Sequence, residues 1–205
     1  MRANEFVTDG IHKNTAMQPG DQGQWDMRDH SLSSATVNDV LHNHYRGKEK
    51  IDLRTQVGKH IKVIDKIISR FILTKPAKVY TGIPVSIQRA YEKYKADRSK
   101  PIRLHLPAYT SATTSLVQAA KFSTQQSNDS KTAQVLLIEL PVGTPAVSIK
   151  NVSAYEYEKE VLLPRGMDIE VQPTPNVVEK NGKTTYIWQA IALGHSPIQI
   201  VKAKS

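Results

Sequence analysis

The chain has 205 residues, a length that suits one domain with a single sizeable core. It has no cysteine, which excludes a disulfide framework and thiolate chemistry; no apolar run reaches the roughly 18 residues of a membrane span, and the polar N-terminus lacks the apolar segment of a secretory signal. A net charge of +9, spread along the chain without a basic tail, favours acidic partners such as nucleic acid, ribonucleoprotein or an anionic cofactor.

Residues 1–33 carry little hydrophobic periodicity and are expected to form a flexible arm before one domain spanning 34–205. Residues 34–45 predict a short helix, with Ser33 or Ser34 as N-cap and Gly47 at its end. Leu53, Val57, Ile61, Ile64, Ile68 and Phe71 then recur at spacings of three and four, the mark of an amphipathic helix, which Pro76 stops. This helical part, 34–75, precedes a β-rich part, 76–205. Residues 78–80 predict a strand running into Thr81-Gly82-Ile83-Pro84, 86–95 a helix, 102–106 an alternating half-buried strand and 115–122 a short helix. Residues 123–131 read as a polar loop. Strands are expected at 134–140, 146–149, 158–163, 167–171, 184–193 and 198–202. Asn181-Gly182 tolerates positive φ at both residues and predicts a hairpin joining Val177-Val178 to Tyr186-Ile187. Helices first and strands later make an α+β pattern.

Three segments can carry chemistry. Glu156, Glu158 and Glu160 stand two apart, so an extended strand would point all three to one face. Clustered carboxylates repel, and the apolar Val161-Leu162-Leu163 behind them anchors the strand. The arrangement is either an edge strand guarded by charge or a carboxylate held rigidly at a cleft. The run Tyr109-Thr110-Ser111-Ala112-Thr113-Thr114-Ser115-Leu116 offers closely spaced hydroxyls. They suit a ribose and a nearby carboxylate, or simply cap the following helix. In Val79-Tyr80-Thr81-Gly82-Ile83-Pro84, Gly82 lets the backbone approach a ligand closely.

In this order the three segments resemble the motifs of arginine-specific mono-ADP-ribosyltransferases, the R-S-E type. Size, basic character and the helical N-terminal third are similar to phage-encoded transferases of the Alt/Mod type. The resemblance implies a split β-sandwich, two small and mostly antiparallel sheets packed across a cleft for NAD, with helices in front. It implies NAD as substrate and no metal. Glu160 would stabilise the cation formed as the nicotinamide–ribose bond breaks, and Glu158 would orient or deprotonate the acceptor guanidinium. A Glu there, rather than Gln, implies arginine as acceptor, and Tyr155 and Tyr157 fall where the family carries acceptor-recognition aromatics. Two registers fit the hydroxyl motif. Thr113-Thr114-Ser115 puts Ala112 where an aromatic is usual, and Ser111-Ala112-Thr113 keeps Tyr109 but loses the middle hydroxyl. The hydroxyl that meets the catalytic Glu and the ribose is Thr113 in the first and Ser111 in the second. Tyr80, Thr81 and Gly82 would line the nicotinamide and phosphate side. Thr81 stands where the family has an arginine that grips the NAD phosphates, and one neutral hydroxyl replaces a charged fork. Either Arg103 or Arg89 takes over, or the chain is a degenerate member, or the arginine was replaced to make a toxic enzyme tolerable.

The partners implied are host proteins of transcription or translation, some associated with nucleic acid, met by a monomer in the host bacterial cytoplasm and away from membranes. Two rival readings use the same residues: a non-catalytic binding protein on this fold, and a basic RNA- or ribosome-binding module whose Glu strand is an edge device. His42 and His44, two apart on a helix, do not share a face and are expected to be solvent-facing. His105 is expected to be packed or partly exposed, and His60 at the core edge. The chain has no GxGxxG, no phosphate-binding Walker loop and no nucleophile elbow.

Overall fold

The computed structural model describes residues 11, 15–21, 24–48, 51–52, 54–83, 87–93, 96–127, 129–153 and 158–195. Helix α1 is Gln24–Tyr45 and α2 is Gln56–Ile68. Strand β1 (Ala77–Ile83) and helix α3 (Ile87–Lys93) follow, then β2 (Ile102–Leu106), β3 (Thr110–Thr113) and α4 (Leu116–Ser127). The remainder is strand: β4 (Thr132–Leu140), β5 (Val147–Ser148), β6 (Glu160–Leu163), β7 (Met167–Val171), β8 (Asn176–Lys180) and β9 (Lys183–His195). The strand expected at 198–202 lies outside the described residues.

Helix α1 starts at Gln24, well before the expected residue 34. Met27, Val37 and Leu41 are buried, and so are Ile11 and Met17 ahead of the helix. The Met17 N–H donates to Ser148 O at 2.9 Å, beside a parallel bridge between Ala16 and Ser148. Apolar residues this sparse leave no period in the sequence, yet Met17, Met27, Val37 and Leu41 share a core with Val147 of β5, and Ile11 joins the other core. Helix α2 is shorter than its apolar pattern. The Thr55 side chain caps it by accepting from the Gly58 N–H at 3.1 Å, and Ile61, Ile64, Ile67 and Ile68 form its buried stripe. Helix α4 runs on through Ser127, into the stretch expected as a loop. Ser123 explains the difference: its buried hydroxyl donates to Ile83 O at 2.9 Å and accepts from the Gln134 N–H at 2.8 Å.

The strands join in one hydrogen-bonded path, β2-β7-β9-β4-β1-β3-β6-β5, with β8 paired to β9 beside it. The β4–β9 pair is parallel and the other strand pairs are antiparallel. The two sheets expected are joined here into one, where β1 and β3 register through the single pair Tyr80↔Thr113. Asn181 and Gly182, at φ 53° and 70°, turn β8 back on β9, with Val177 opposite Tyr186 as expected.

Two cores share the sheet. One joins Val79, Leu136, Ile138, Val161, Leu163, Ile169 and Trp188; the other joins α1 and α2 to Val147, Ile149 and Leu162. Strand β6 is thus buried on both faces, Val161 and Leu163 toward one core and Leu162 toward the other, so its apolar run does not alternate with polar residues. Gly82 packs β1 against α4. A Cβ there would lie 2.3 Å from Ala119 O and 2.7 Å from Ser123 N. Among the described residues no helix is long and apolar enough to cross a membrane.

Candidate active site

A cavity of about 640 Å³ opens beside this junction of β1 and β3. Its walls include Asn38 and His42 from α1, Thr81 and Gly82 from β1, His105 from β2, Ser111 from β3, Phe122 and Gln126 from α4, and both Glu158 and Glu160. His42, expected in solvent, faces this cavity.

Glu160 opens β6 opposite Thr113 and is 8% exposed. Burial raises its carboxyl above the usual range; the Ser111 hydroxyl opposes this by donating to it, and Glu158 adds to it by charge repulsion. Glu158 is also raised, by burial first, against the opposing pull of Lys121.

The two carboxylates do not meet by strand alternation. Glu158 sits in a turn and Lys159 has φ 48°, so the strand begins only at Glu160. A lysine held in the left-handed region marks local strain of the order of 1–2 kcal/mol. Thr113 holds the turn: its hydroxyl donates to Glu158 O at 2.7 Å and accepts from the Ser115 N–H at 3.1 Å. Glu156, Tyr155 and Tyr157 lie outside the described residues.

This geometry separates the two hydroxyl registers. Ser111 lines the cavity and bonds Glu160. Thr113 faces the backbone of Glu158, and Ser115 accepts from the Gln118 N–H at 3.3 Å at the start of α4. Tyr80, Thr113, Thr114 and Ser115 are absent from the described cavity wall, whereas Thr81 and Gly82 belong to it. Thr81 is nearly buried, and its hydroxyl is spent on Ser111 O at 2.9 Å. Neither Arg103 nor Arg89 belongs to the described cavity wall. Arg103 reaches Glu170 at 3.7 Å with three-quarters of its side chain in solvent, and Arg89 is exposed.

Behind the cavity an ion pair ties the helices to the sheet. Arg165, in the turn after β6, donates to Asp65 of α2 from Nε at 3.1 Å and from Nη2 at 2.8 Å. Tyr109, leading into β3, donates from its hydroxyl to Asp65 Oδ1 at 2.6 Å, with Ile61 O at 3.0 Å. Burial pushes this phenol far above its usual range, so it stays a donor.

This set of elements around one cavity has a family. A model described as ADP-ribosyltransferase exoenzyme matches residues 12–194. The chain belongs to the ADP-ribosyltransferase exoenzyme family. Solved structures of similar fold include Plx2a, an ADP-ribosyltransferase toxin from Paenibacillus larvae, at TM-score 0.69 and 15% identity over 93% of this chain and 96% of that one. An ADP-ribosyltransferase from Clostridium botulinum has TM-score 0.63 and 14% identity over 93% and 96%. C3stau2 from S. aureus, solved with NAD, has TM-score 0.62 and 16% identity over 93% and 94%. No curated protein sequence matches.

Some wall and support residues of this family member escaped the sequence reading. Asp65 left one signal, as the lone carboxylate of α2, set beside the buried stripe of Ile61, Ile64 and Ile68. Asn38 and Arg165 left none, because their partners Tyr109 and Asp65 are remote in sequence.

Proposed function

We propose that the chain transfers ADP-ribose from NAD to an arginine of a host protein. One observation carries the reading: the buried Glu160, bonded by Ser111, shares a cavity wall with Glu158. In the proposed reaction the bond between ribose C1′ and the nicotinamide nitrogen breaks, and nicotinamide leaves with the bonding pair. The ionised Glu160 stabilises the oxocarbenium-like centre. A guanidinium nitrogen of the acceptor then attacks C1′, and Glu158 orients it and takes its proton. NAD as substrate draws support from the family and from the NAD in the C3stau2 structure. Arginine as acceptor rests on Glu, rather than Gln, at position 158.

The acceptors proposed are proteins of the host transcription or translation apparatus, in the host cytoplasm, as for the phage Alt/Mod-type transferases. The net charge of +9 suits approach to acidic assemblies. A second reading, a fold member with impaired chemistry, draws on the uncharged Thr81 and the lack of Lys or Arg in the described cavity wall.

Incubation with labelled NAD and a host lysate tests both. Label on proteins that disappears in Glu160→Ala supports the transferase. Label that appears only after Thr81→Arg supports the impaired member. Absence of label in both would sink the transferase.

A further inference from the structure

The cavity wall holds two carboxylates and, among the described residues that line it, no Lys or Arg; its basic side chains are His42 and His105. A diphosphate entering such a cavity needs a donor, preferably a charged one. His42 is poorly suited, because burial first and Arg46 second hold its pKa below the ordinary value, against Asp39. His105 is set differently. Its Nδ1 lies 2.7 Å from Asp168 Oδ1, and its ring stacks on Tyr45 with centroids 4.9 Å apart. Its Nε2 is buried without a hydrogen-bond partner. Buried polar atoms are rarely left unpaired, so a ring clamped at one nitrogen and idle at the other has capacity to spare for a ligand. When the ring carries both protons, Nδ1 donates to Asp168 and Nε2 is left to donate elsewhere. Tyr45, half exposed in the last turn of α1, stacks on one face of the ring.

We propose that His105 is the anion-binding residue of this cavity, its Nε2 donating to a diphosphate oxygen of NAD where Thr81 offers no charge. The inference rests on the NAD reading above. Asp168 acts as a positioning residue that holds the ring, and Tyr45 packs on its face. The titratable groups around the ring are Asp168 on β7, Tyr45 and His42 on α1, and Glu158 and Glu160 in the same cavity; along β2, Arg103 is occupied by Glu170. Ionisation of the two glutamates, whose carboxyls burial raises above their usual range, opposes a diphosphate as pH rises, so affinities are compared at one pH.

Calorimetric titration with NAD and with inorganic pyrophosphate, at one pH near neutrality, tests this on the whole chain. The native protein should bind both. His105→Gln should weaken both by about ten- to a hundredfold, the loss of one charge-assisted hydrogen bond. Asp168→Asn should weaken binding less, and Asp168→Glu should recover part of the loss. Thr81→Arg in the His105→Gln background should restore affinity. Unchanged NAD affinity in His105→Gln would overturn the inference and leave the NAD reading standing. Pyrophosphate binding through His105 without NAD binding would overturn the NAD reading and with it this use of the site. If the variant does not fold, the imidazole ¹⁵N resonances of the native protein decide: a His105 Nε2 shift on adding pyrophosphate supports the contact, and no shift overturns it.

Discussion

At the scale of single residues, Glu160 sets function against stability. Its carboxyl is buried, and its pKa is raised above the unfolded value. In the window above the ordinary carboxylate value, the folded chain therefore binds more protons than the unfolded one, and stability falls as pH rises through it. Glu160→Gln removes that penalty. Thermal melts at pH 5 and pH 8 should show the variant gaining more at pH 8, while transfer activity is abolished. The acid limb of the pH–rate profile should lie above the ordinary carboxylate range, because only ionised Glu160 supports the reaction. Glu158→Gln should move that limb to lower pH by removing the neighbouring charge, and should reduce transfer to arginine more than hydrolysis of NAD. Steady-state rates from pH 4 to 9 check both. At this scale the sequence was legible in part. Glu158 and Glu160 stood out as a pair, but their shared wall depends on a left-handed Lys159, which strand alternation would not suggest.

At the scale of elements, two contacts hold the site in shape. Arg165 joins the turn after β6 to α2, and through Asp65 it also meets Tyr109. Removing one partner of such a pair strands the other. Arg165→Met should cost about 3 kcal/mol, the low end for buried pairs because Asp65 is a third exposed. The urea midpoint should fall, and pairing the change with Asp65→Leu should recover part of the loss. Gly82 is the second contact. Gly82→Ala would drive a methyl into backbone atoms of α4, which cannot rotate away. A loss of about 1–3 kcal/mol and weaker NAD binding are expected, read from the same denaturation curves and from titration. The elements themselves were mostly visible beforehand, since their periods are local. Ser123 shows where that visibility stopped: in sequence it belongs to a polar run, and only its bonds to β1 and β4 make the run a helix.

At the scale of the whole molecule, the cavity is assembled from both halves of the chain, with α1 on one side and the strands on the other. A ligand that binds there stabilises all of it. NAD at about a hundred times its Kd should add about 2.7 kcal/mol, or about 5–10 °C in Tm for a domain of this size. A thermal shift that is absent at saturating NAD would count against the cavity as the NAD site. The sequence by itself determined the helix-rich first half and strand-rich second half, the isoleucine stripe of α2 and the Asn181-Gly182 hairpin. Each follows from steric and periodic rules that act over a few residues. Only the tertiary structure decided that Ser111, and not Thr113, meets Glu160, that His105 and Asn38 join the wall, and that β6 is buried on both faces. Those choices depend on which surfaces pack together across long stretches of chain, and packing at that range leaves no local pattern to read.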